Sequence, residues 1–310
     1  MMRAIVLQQP GGVEQLKMSN VDKPKRKPGE LLIKVKATAI NRTDIISRER
    51  GSAYVDFNIL GVEVSGIVEE ADADSKITPG TRVMGLVNGG GYAEYVTMPA
   101  DRAIVIPDNM TFEEAAAIPE VFLTAYQTLF WIGKLEEKET VLIHAGGSGV
   151  GTAAIQLAKQ LRDANIIVTA GSKEKLDFTR EIGAKVQINY KTENFAEKVL
   201  EATDGKGVDL LLDFIGASYW EKNYQSIGVD GRWVLIGILG GTVIENIDIR
   251  DLMLKRIQLT ATLLTPRSDE YKAALTKEFA ENALPLFNDG RLKPIIDRVY
   301  SFEDLPKAHD

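Results

Sequence analysis

The sequence contains no cysteine and two histidines, His144 and His309, in 310 residues. Disulfides, thiolate metal ligands and a cysteine nucleophile are therefore excluded. Long apolar runs are also missing, since no stretch reaches the roughly 20 residues that a membrane-spanning helix needs. The apolar run in the N-terminal segment MMRAIVLQQPGG is too short for a signal peptide, so we expect a cytoplasmic protein.

Positive charge is in deficit. The 37 Lys and Arg residues face 44 Asp and Glu residues, giving a formal net charge of -7. This balance argues against a nucleic-acid partner or an anionic membrane, because both attract basic surfaces. With 45% hydrophobic and 26% charged residues the chain can bury a sizeable core, and its length suits two domains of ordinary size.

The first part of the chain, to about residue 118, predicts short β-strands separated by Gly and Pro. This pattern favours an irregular antiparallel barrel. The predicted strands cover residues 4–7, 31–37, 66–69, 82–86 and 93–96.

The pattern changes near Thr111, where Thr-Phe-Glu-Glu is a capping box that predicts the start of a helix. From residue 140 onward, strand and helix patterns alternate, which predicts a parallel, doubly wound sheet. We expect strands at 141–143, 166–170, 186–189, 208–213, 233–236 and 257–264, a turn at Asp230-Gly231, helices at 152–159, 173–182, 195–202 and 270–287, and a short return at 295–300.

A turn of small residues, AGGSGVG, joins the first of these strands to its helix. Backbone N–H groups in such a turn, with the following helix N-terminus, favour a pyrophosphate. A glycine turn by itself is weak evidence and could be only a tight turn, but its place in the first βα unit favours a dinucleotide site. The predicted contacts are Gly146, Ser148, Gly149, Val150 and Gly151.

Cofactor choice depends on the end of the second strand, where an NAD enzyme needs an acid for the ribose 2′-hydroxyl. That position is Ala170 here. The residues around it, Gly171, Ser172, Lys175 and Tyr190, suit a 2′-phosphate instead and predict NADPH. The alternative is an ordinary helix cap at Ser172 with solvated lysines, and Glu174 weakens the preference.

Several stretches together resemble the quinone oxidoreductase branch of the medium-chain dehydrogenase/reductase family, especially its p53-inducible type. They read HAGGSGVGTAAIQLAK, VTAGSKEKLDF, INYKTENF, PEVFLTAYQTLF, AINRTD and GVEVSG. The resemblance implies an α/β fold in which a Rossmann doubly wound parallel sheet, residues 120–265, is inserted into a GroES-like β-barrel catalytic domain, residues 1–119 plus 266–310. It also implies an active site in the cleft and a further helix and strand after Ala308-His309.

The resemblance assigns roles to individual residues. It places Asn41 in the nicotinamide pocket, Thr124 at the inner end of the cofactor, and Tyr54 against the acceptor, where it could contact or protonate it. For Tyr54 the alternative is a half-buried loop aromatic. The nicotinamide ribose and ring would lie near Phe214, Ile215 and Gly216 and near Ile238, Leu239 and Gly240.

Zinc-dependent relatives carry a histidine where this chain has Val62. With two histidines and no cysteine, a catalytic zinc site cannot be assembled, and His144 is expected to pack at the end of its strand. A quinone accepts hydride without a Lewis acid, so the resemblance implies an NADPH-dependent quinone oxidoreductase. The alternatives are an enone or alkenal double-bond reductase and a non-enzymatic cofactor-binding protein of crystallin-like or RNA-binding type.

A homodimer is also expected. The predicted last strand, residues 257–264, carries little charge to protect an open sheet edge. Members of the family pair their Rossmann sheets through this strand. We therefore expect a small-molecule acceptor and a second copy of the chain as partners.

Overall fold

The computed structural model describes residues 1–51 and 58–310. The chain forms two compact units, Met1–Leu123 with Thr265–Asp310, and Thr124–Leu264. Tyr54, the expected acceptor contact, lies outside the described residues.

The first unit is built on antiparallel strands, as the β-rich N-terminal pattern predicts. The strands β1 and β2 pair with each other, and the other five form a sheet of order β6-β3-β4-β5-β7 in the described part of the chain. Its core holds buried residues such as Leu31, Ile33, Val64 and Met98. The elements are β1 (Met2–Leu7), β2 (Leu16–Val21), β3 (Glu30–Thr38), α1 (Arg42–Arg50), β4 (Glu63–Glu70), β5 (Arg82–Leu86), β6 (Tyr95–Pro99), β7 (Ile104–Val105), α2 (Phe112–Ala116) and α3 (Pro119–Tyr126).

The second unit alternates strand and helix and forms a parallel sheet. The described strands follow the order β10-β9-β8-β11-β12-β13, that of a doubly wound nucleotide-binding fold. Its core packs Leu142, Ile167, Leu211 and Trp233. The elements are β8 (Thr140–Ile143), α4 (Gly149–Arg162), β9 (Asn165–Ala170), α5 (Lys173–Glu181), β10 (Val186–Asn189), α6 (Phe195–Ala202), β11 (Val208–Asp213), α7 (Trp220–Ser226), β12 (Ile227–Leu235), α8 (Ile249–Leu254) and β13 (Gln258–Ala261).

Two strand predictions in this unit are wrong at their ends. Asp230-Gly231 is not a turn before β12 but an irregularity inside it, where Asp230 has a φ of 63° and the pairing with β11 shifts register. Asp230 is held there by Arg256, whose Nε donates to its carboxylate at 2.7 Å. The last strand, β13, is shorter than the predicted 257–264 and forms one of the two edges of the sheet in the described part of the chain.

The chain then returns to the first unit as α9 (Asp269–Asn288) and α10 (Leu305–Ala308). Helix α9 packs Phe279 and Phe287 against Phe122, with ring centroids 6.3 and 4.9 Å away. The expected return at 295–300 has neither helix nor strand. Within the described residues, none of the helices is both long and apolar enough to cross a membrane.

Candidate cofactor and active site

The glycine turn after β8 is shaped by close backbone contacts. A Cβ atom at Gly151 would lie 2.4 Å from the carbonyl oxygen of Ala145, and one at Gly146 would lie 2.9 Å from Val168 of β9. Ala145 itself has a φ of 49°. Both glycines are therefore required for the turn to close on itself and on the neighbouring strand.

Ser148 also caps the helix that follows this turn. It is the N-cap of α4, and its Oγ accepts a hydrogen bond from Gly151 N at 3.1 Å. Ser148 and Gly149 are exposed at the helix start, where first-turn N–H groups have no intrahelical acceptor. The arrangement fits a pyrophosphate, because the N–H groups and the helix dipole both favour negative charge.

The expected 2′-phosphate residues meet beside this turn. Ser172 is the N-cap of α5 and accepts from Lys175 N at 3.4 Å, which leaves its own O–H free to donate. The Lys175 stem lies along Gly147, where an added Cβ would be 3.1 Å from Lys175 Cβ. A Cβ at Gly171 would lie 2.7 Å from Tyr190 Oη, so the phenol rests directly on that glycine.

Sequence reasoning missed a second cation at this corner. Lys191 follows Tyr190 after β10, and its Cε would lie 3.0 Å from a Cβ at Gly171. Lys173 instead pairs with Asp177 along α5, with 2.5 Å between Nζ and Oδ2. The position of Lys191 directly after a strand end was the signal available in the sequence. We call Ser172, Lys175, Tyr190 and Lys191 the phosphate corner.

Two further segments, after β11 and β12, are joined by backbone hydrogen bonds. Leu239 N donates to Phe214 O at 3.2 Å, and Gly240 N donates to Ile215 O at 2.7 Å. Ile238 and Leu239 are 54% and 62% exposed, so they present apolar surface at the carboxyl edge of the sheet. Such a surface suits the planar nicotinamide ring that the resemblance assigns to these residues.

Asp213, the last residue of β11, holds the first of these segments by hydrogen bonds to its backbone. Its Oδ1 accepts from Ile215 N at 2.7 Å and Gly216 N at 3.0 Å. Its Oδ2 accepts from Asn223 Nδ2 at 3.0 Å and Trp233 Nε1 at 3.1 Å. Four donors around one fully buried carboxylate hold the turn at 214–216 in a single conformation.

The structure places His144 in the same buried network. Its Nε2 lies 2.7 Å from Asn223 Oδ1, and its Nδ1 lies 2.9 Å from Thr169 Oγ1. Because Asn223 donates its amide N–H to Asp213, its oxygen must accept, and His144 Nε2 carries the proton. Burial lowers the pKa of His144, so the neutral ring packs at the end of β8.

In the first unit, Asn41 belongs to a cluster of acidic side chains. Asn41 Nδ2 donates to Glu63 Oε1 at 2.6 Å, and Glu120 N donates to Glu63 Oε2 at 2.8 Å. Asp44 Oδ2 accepts from Asn41 N at 2.9 Å, and its Oδ1 accepts from Gly61 N at 3.1 Å. We call Asp44, Glu63 and Glu120 the acid cluster.

Burial raises the pKa of all three acids. The pKa of Asp44 is raised to about 6, that of Glu63 to about 8 and that of Glu120 to about 7. The mutual repulsion of the carboxylates adds to this effect at Glu63 and Glu120, while Lys272 opposes it at Glu120. These acids are therefore harder to ionise than exposed carboxyl groups.

Tyr92 and His309 extend the cluster. Tyr92 hydrogen-bonds to Asp44, and His309 Nε2 lies 2.9 Å from Tyr92 Oη. Burial raises the pKa of Tyr92 and, with the charge of Arg48, lowers that of His309 to about 4. Sequence reasoning assigned no role to either residue.

The potential metal ligands of the chain are few, because it has two histidines and no cysteine. Among the described residues, no group of three or more His, Asp or Glu side chains is arranged to hold a metal ion. Val62 stands beside Glu63 where a zinc-binding relative has histidine, and both histidines are engaged in the networks described above.

Family comparisons match both units. Residues 27–108 match the alcohol dehydrogenase GroES-like domain, and residues 149–281 match the zinc-binding dehydrogenase domain. The human synaptic vesicle membrane protein VAT-1 homolog is 30% identical over 99% of this chain and 82% of its own length. The rat quinone oxidoreductase is 28% identical over 100% of this chain and 93% of its own length.

Solved structures agree with this grouping. The quinone oxidoreductase of Pseudomonas syringae is 27% identical with a TM-score of 0.88, covering 100% of this chain and 95% of its own. A mycobacterial protein in complex with NADPH is 29% identical with a TM-score of 0.88 and the same coverage. The CurK enoyl reductase is 26% identical with a TM-score of 0.87, covering 99% and 94%.

Proposed function

Since the chain belongs to the medium-chain dehydrogenase/reductase family and is of its quinone oxidoreductase type, we propose that it reduces quinones with NADPH and without zinc. The observation that carries the cofactor choice is the phosphate corner. Tyr190 and Lys191 lie against Gly171, Lys175 lies against Gly147, and Ser172 caps the next helix, after a strand that ends in Ala170 rather than an acid. Binding of NADPH by a similar mycobacterial protein supports the same choice.

Each part of the cofactor has residues suited to it. The start of α4, from Ser148 to Gly151, would hold the pyrophosphate, and the phosphate corner would hold the 2′-phosphate. The segments at 214–216 and 238–240 would support the nicotinamide ribose and ring. Asn41 would line the nicotinamide pocket, and Thr124 would lie at the inner end of the cofactor. NADPH supplies the hydride when bound.

The protein's contribution to quinone reduction is chiefly binding and orientation. A quinone becomes a hydroquinone by taking up one hydride and one proton, and it accepts hydride without a Lewis acid. Val62 and the engaged histidines support a mechanism that is independent of zinc. The residues near the nicotinamide therefore need only hold the acceptor close and exclude water.

Reduction of an enone double bond is the second candidate. Similarity to the CurK enoyl reductase favours it. This reaction adds hydride to one carbon and a proton to the other, so it needs a proton donor near the acceptor. Tyr54 is the residue we propose for that role.

One experiment separates these activities. Purified protein is assayed with NADPH and either a naphthoquinone or a 2-alkenal, with and without a chelator. We expect kcat/KM for the quinone to exceed that for the alkenal by roughly tenfold or more, about 1.4 kcal/mol of transition-state free energy, and to be unchanged by the chelator.

The opposite preference would assign the chain to enone reduction. Loss of activity on chelation, together with metal bound at one equivalent, would contradict zinc independence. Tight NADPH binding without turnover of any acceptor would favour a non-enzymatic cofactor-binding protein.

A further inference from the structure

We propose that the second unit carries a further binding site, for a small phosphate ester, at the amino ends of β8, β9 and β10. A cavity of about 440 Å³ lies there, within the range of roughly 300–1,000 Å³ that is usual for small-molecule sites. Its lining includes Lys138, Lys159, Lys185, Asp163 and Asn165. This site does not depend on the proposed reduction of quinones.

Three neighbouring strands begin around this cavity, and the segment that leads into each strand contributes one lysine. Lys138 lies before β8, Lys159 lies in the last turn of α4, which leads into β9, and Lys185 lies directly before β10. Backbone hydrogen bonds join these segments to their neighbours. Lys138 N donates to Arg162 O at 2.9 Å, and Lys185 N donates to Ile166 O at 2.8 Å. Lysines that are distant in the sequence therefore meet at one cavity.

The cavity lies at the opposite end of these strands from the candidate cofactor residues. The strand β9 begins with Asn165 at the cavity and ends with Ala170 beside the phosphate corner. Its six residues place these two ends about 16 Å apart, at a rise of about 3.3 Å per residue. A molecule in the cavity is therefore outside the candidate pyrophosphate and 2′-phosphate sites.

The described residues of the lining carry a surplus of positive charge. Three lysines and one aspartate give them a formal net charge of +2. The hydrogen bond and the charge of Lys159 lower the pKa of Asp163, and the charge of Lys138 lowers it further. Glu139, which follows Lys138, is paired instead with Arg232 of β12 at 2.6 Å. The cavity therefore attracts an anion.

The lysines keep hydrogen-bond donors for such an anion. An ammonium group has three N–H donors. Lys159 uses one of them on Asp163, and Lys185 uses one on Asn165 Oδ1, at 3.2 Å. The negative end of the α4 dipole explains a lysine at position 159, but Lys138 and Lys185 belong to other segments. Their convergence is therefore a property of the cavity and not of one helix end.

The lining suits a phosphate group better than other anions. Lysine binds phosphate as a point charge, whereas a planar carboxylate is matched better by the fork of an arginine. A phosphate monoester carries about -1.5 to -2 charges at pH 7, close to the surplus of the lining. The remaining described residues of the lining, Ala164 and Gly183, offer no large apolar surface. We therefore expect a small polar ester and not a planar apolar ligand.

Calorimetric titration of the full chain with ribose 5-phosphate tests this site, and ribose is the uncharged control ligand. We expect a Kd below about 1 mM for ribose 5-phosphate and no measurable binding of ribose. Added NaCl should weaken the binding, because the charges around the cavity are exposed to solvent. Absence of binding, or equal binding of both ligands, would overturn the proposal.

Removal of two lysines tests whether the probe occupies the cavity. We expect Lys138→Asn with Lys185→Gln to raise the Kd by at least roughly tenfold. Asparagine is chosen because Lys138 has a φ of 64°, which asparagine tolerates. The control is Lys173→Gln with Lys198→Gln, which removes the same charge from exposed lysines paired with acids on α5 and α6. It should change the Kd by less than about threefold, and equal losses in both double variants would contradict the site.

The variant Lys175→Gln separates the cavity from the phosphate corner, where a phosphate ester can also bind. In this variant the Kd for ribose 5-phosphate should stay within about threefold of the wild-type value, because distant sites act independently. A tenfold loss would place the probe at the phosphate corner and overturn the proposal. Failure of the wild type to bind NADPH would refute only the proposed cofactor.

Discussion

Ser148 and Ser172 show how a single hydroxyl can be structural and functional together. Each caps the helix that follows a parallel strand by accepting from a backbone N–H. A hydroxyl that accepts in this way still has its own proton to donate. The cap at Ser172 is therefore compatible with phosphate binding, and the two interpretations that the sequence left open are not exclusive.

Lys175 should determine much of the preference for NADPH. Its stem lies on Gly147, and an ammonium group there can form a charge-assisted hydrogen bond with a 2′-phosphate. We expect Lys175→Ala to weaken NADPH binding by at least roughly tenfold, about 1.4 kcal/mol, and to leave NADH binding unchanged. Isothermal titration calorimetry with each cofactor measures both.

The control for this change is Lys173→Ala, two residues earlier on the same helix. Lys173 is paired with Asp177, so its removal should alter NADPH affinity by less than a factor of about three. Equal loss in both variants would indicate only a general effect of charge. Equal NADH and NADPH affinities in the wild type would refute the cofactor assignment.

The acid cluster lay beyond sequence reasoning for a physical reason. Glu63 meets Asn41 and Glu120 across 22 and 57 positions of sequence, and His309 meets Tyr92 across 217. Local patterns report helix caps and turns, whereas burial of an acid is decided by how distant segments pack. Glu63, Glu120 and His309 therefore look like ordinary surface residues in the sequence.

At the scale of elements, boundaries set by local chemistry were predicted well. Strands β10 and β11 and helix α6 coincide with the predicted 186–189, 208–213 and 195–202. The capping box at Thr111 is present, with Glu114 N donating to Thr111 Oγ1 at 3.1 Å. Caps and turns near these ends are visible within a few residues of sequence.

The wrong predictions, for β12 and β13, depend on pairing with residues that are distant in the sequence. The strand β12 continues through Asp230-Gly231 because Ile227 pairs with Val208 of β11 and Arg256 binds Asp230. An Asp-Gly pair is a common turn signal, but here it forms a bulge within a paired strand. The strand β13 is likewise short because Ala261 pairs with Leu235, which is the last residue of β12.

The turn at 214–216 should depend on Asp213. In Asp213→Asn the new NH2 group must face either Asn223 and Trp233, or the N–H groups of Ile215 and Gly216. Donors then oppose donors in both orientations. We expect the free energy of unfolding to fall by about 2 kcal/mol and NADPH affinity to fall as well, as measured by denaturant unfolding and calorimetry.

Asp209→Asn is the matched control on the same strand. Asp209 is exposed and accepts from Thr140 N at 2.8 Å, so its loss should cost less than about 1 kcal/mol and leave cofactor binding intact. If Asp213→Asn lowers stability but not NADPH affinity, the anchoring of the cofactor segment is wrong.

At the scale of the whole molecule, the candidate cofactor-binding residues of the second unit all lie at the carboxyl ends of its parallel strands. The glycine turn, the phosphate corner and the segments at 214–216 and 238–240 all follow the carboxyl ends of parallel strands. Ligands bind to open α/β sheets at this edge. This part of the site could be predicted because strand order and connection follow from the βα repeat.

The exposed edge strand of this sheet, β13, leads us to expect a homodimer. All four residues of β13 are exposed, and the adjacent α8 leaves Ile249, Met253 and Leu254 at least 66% exposed. An unprotected edge with apolar neighbours favours pairing with a second copy. Sedimentation at micromolar concentration should therefore give twice the chain mass of 34.1 kDa.

Leu259→Lys places a charge on this edge and should shift the protein to monomer. Val105→Lys, which alters an exposed apolar residue on β7, should remain dimeric. A wild-type monomer at these concentrations would contradict the expected assembly.

The hydrogen bond from Trp233 to Asp213 has an optical consequence. The emission of a buried indole responds to the charge and hydrogen bonding around its N–H, and this indole shares its acceptor with the backbone of Ile215 and Gly216. Trp220 lies 4.7 Å from the same ring and shares its surroundings. We therefore expect part of the intrinsic fluorescence of the chain, which also includes Trp131, to respond to changes in the segment expected to hold the nicotinamide, without any attached dye.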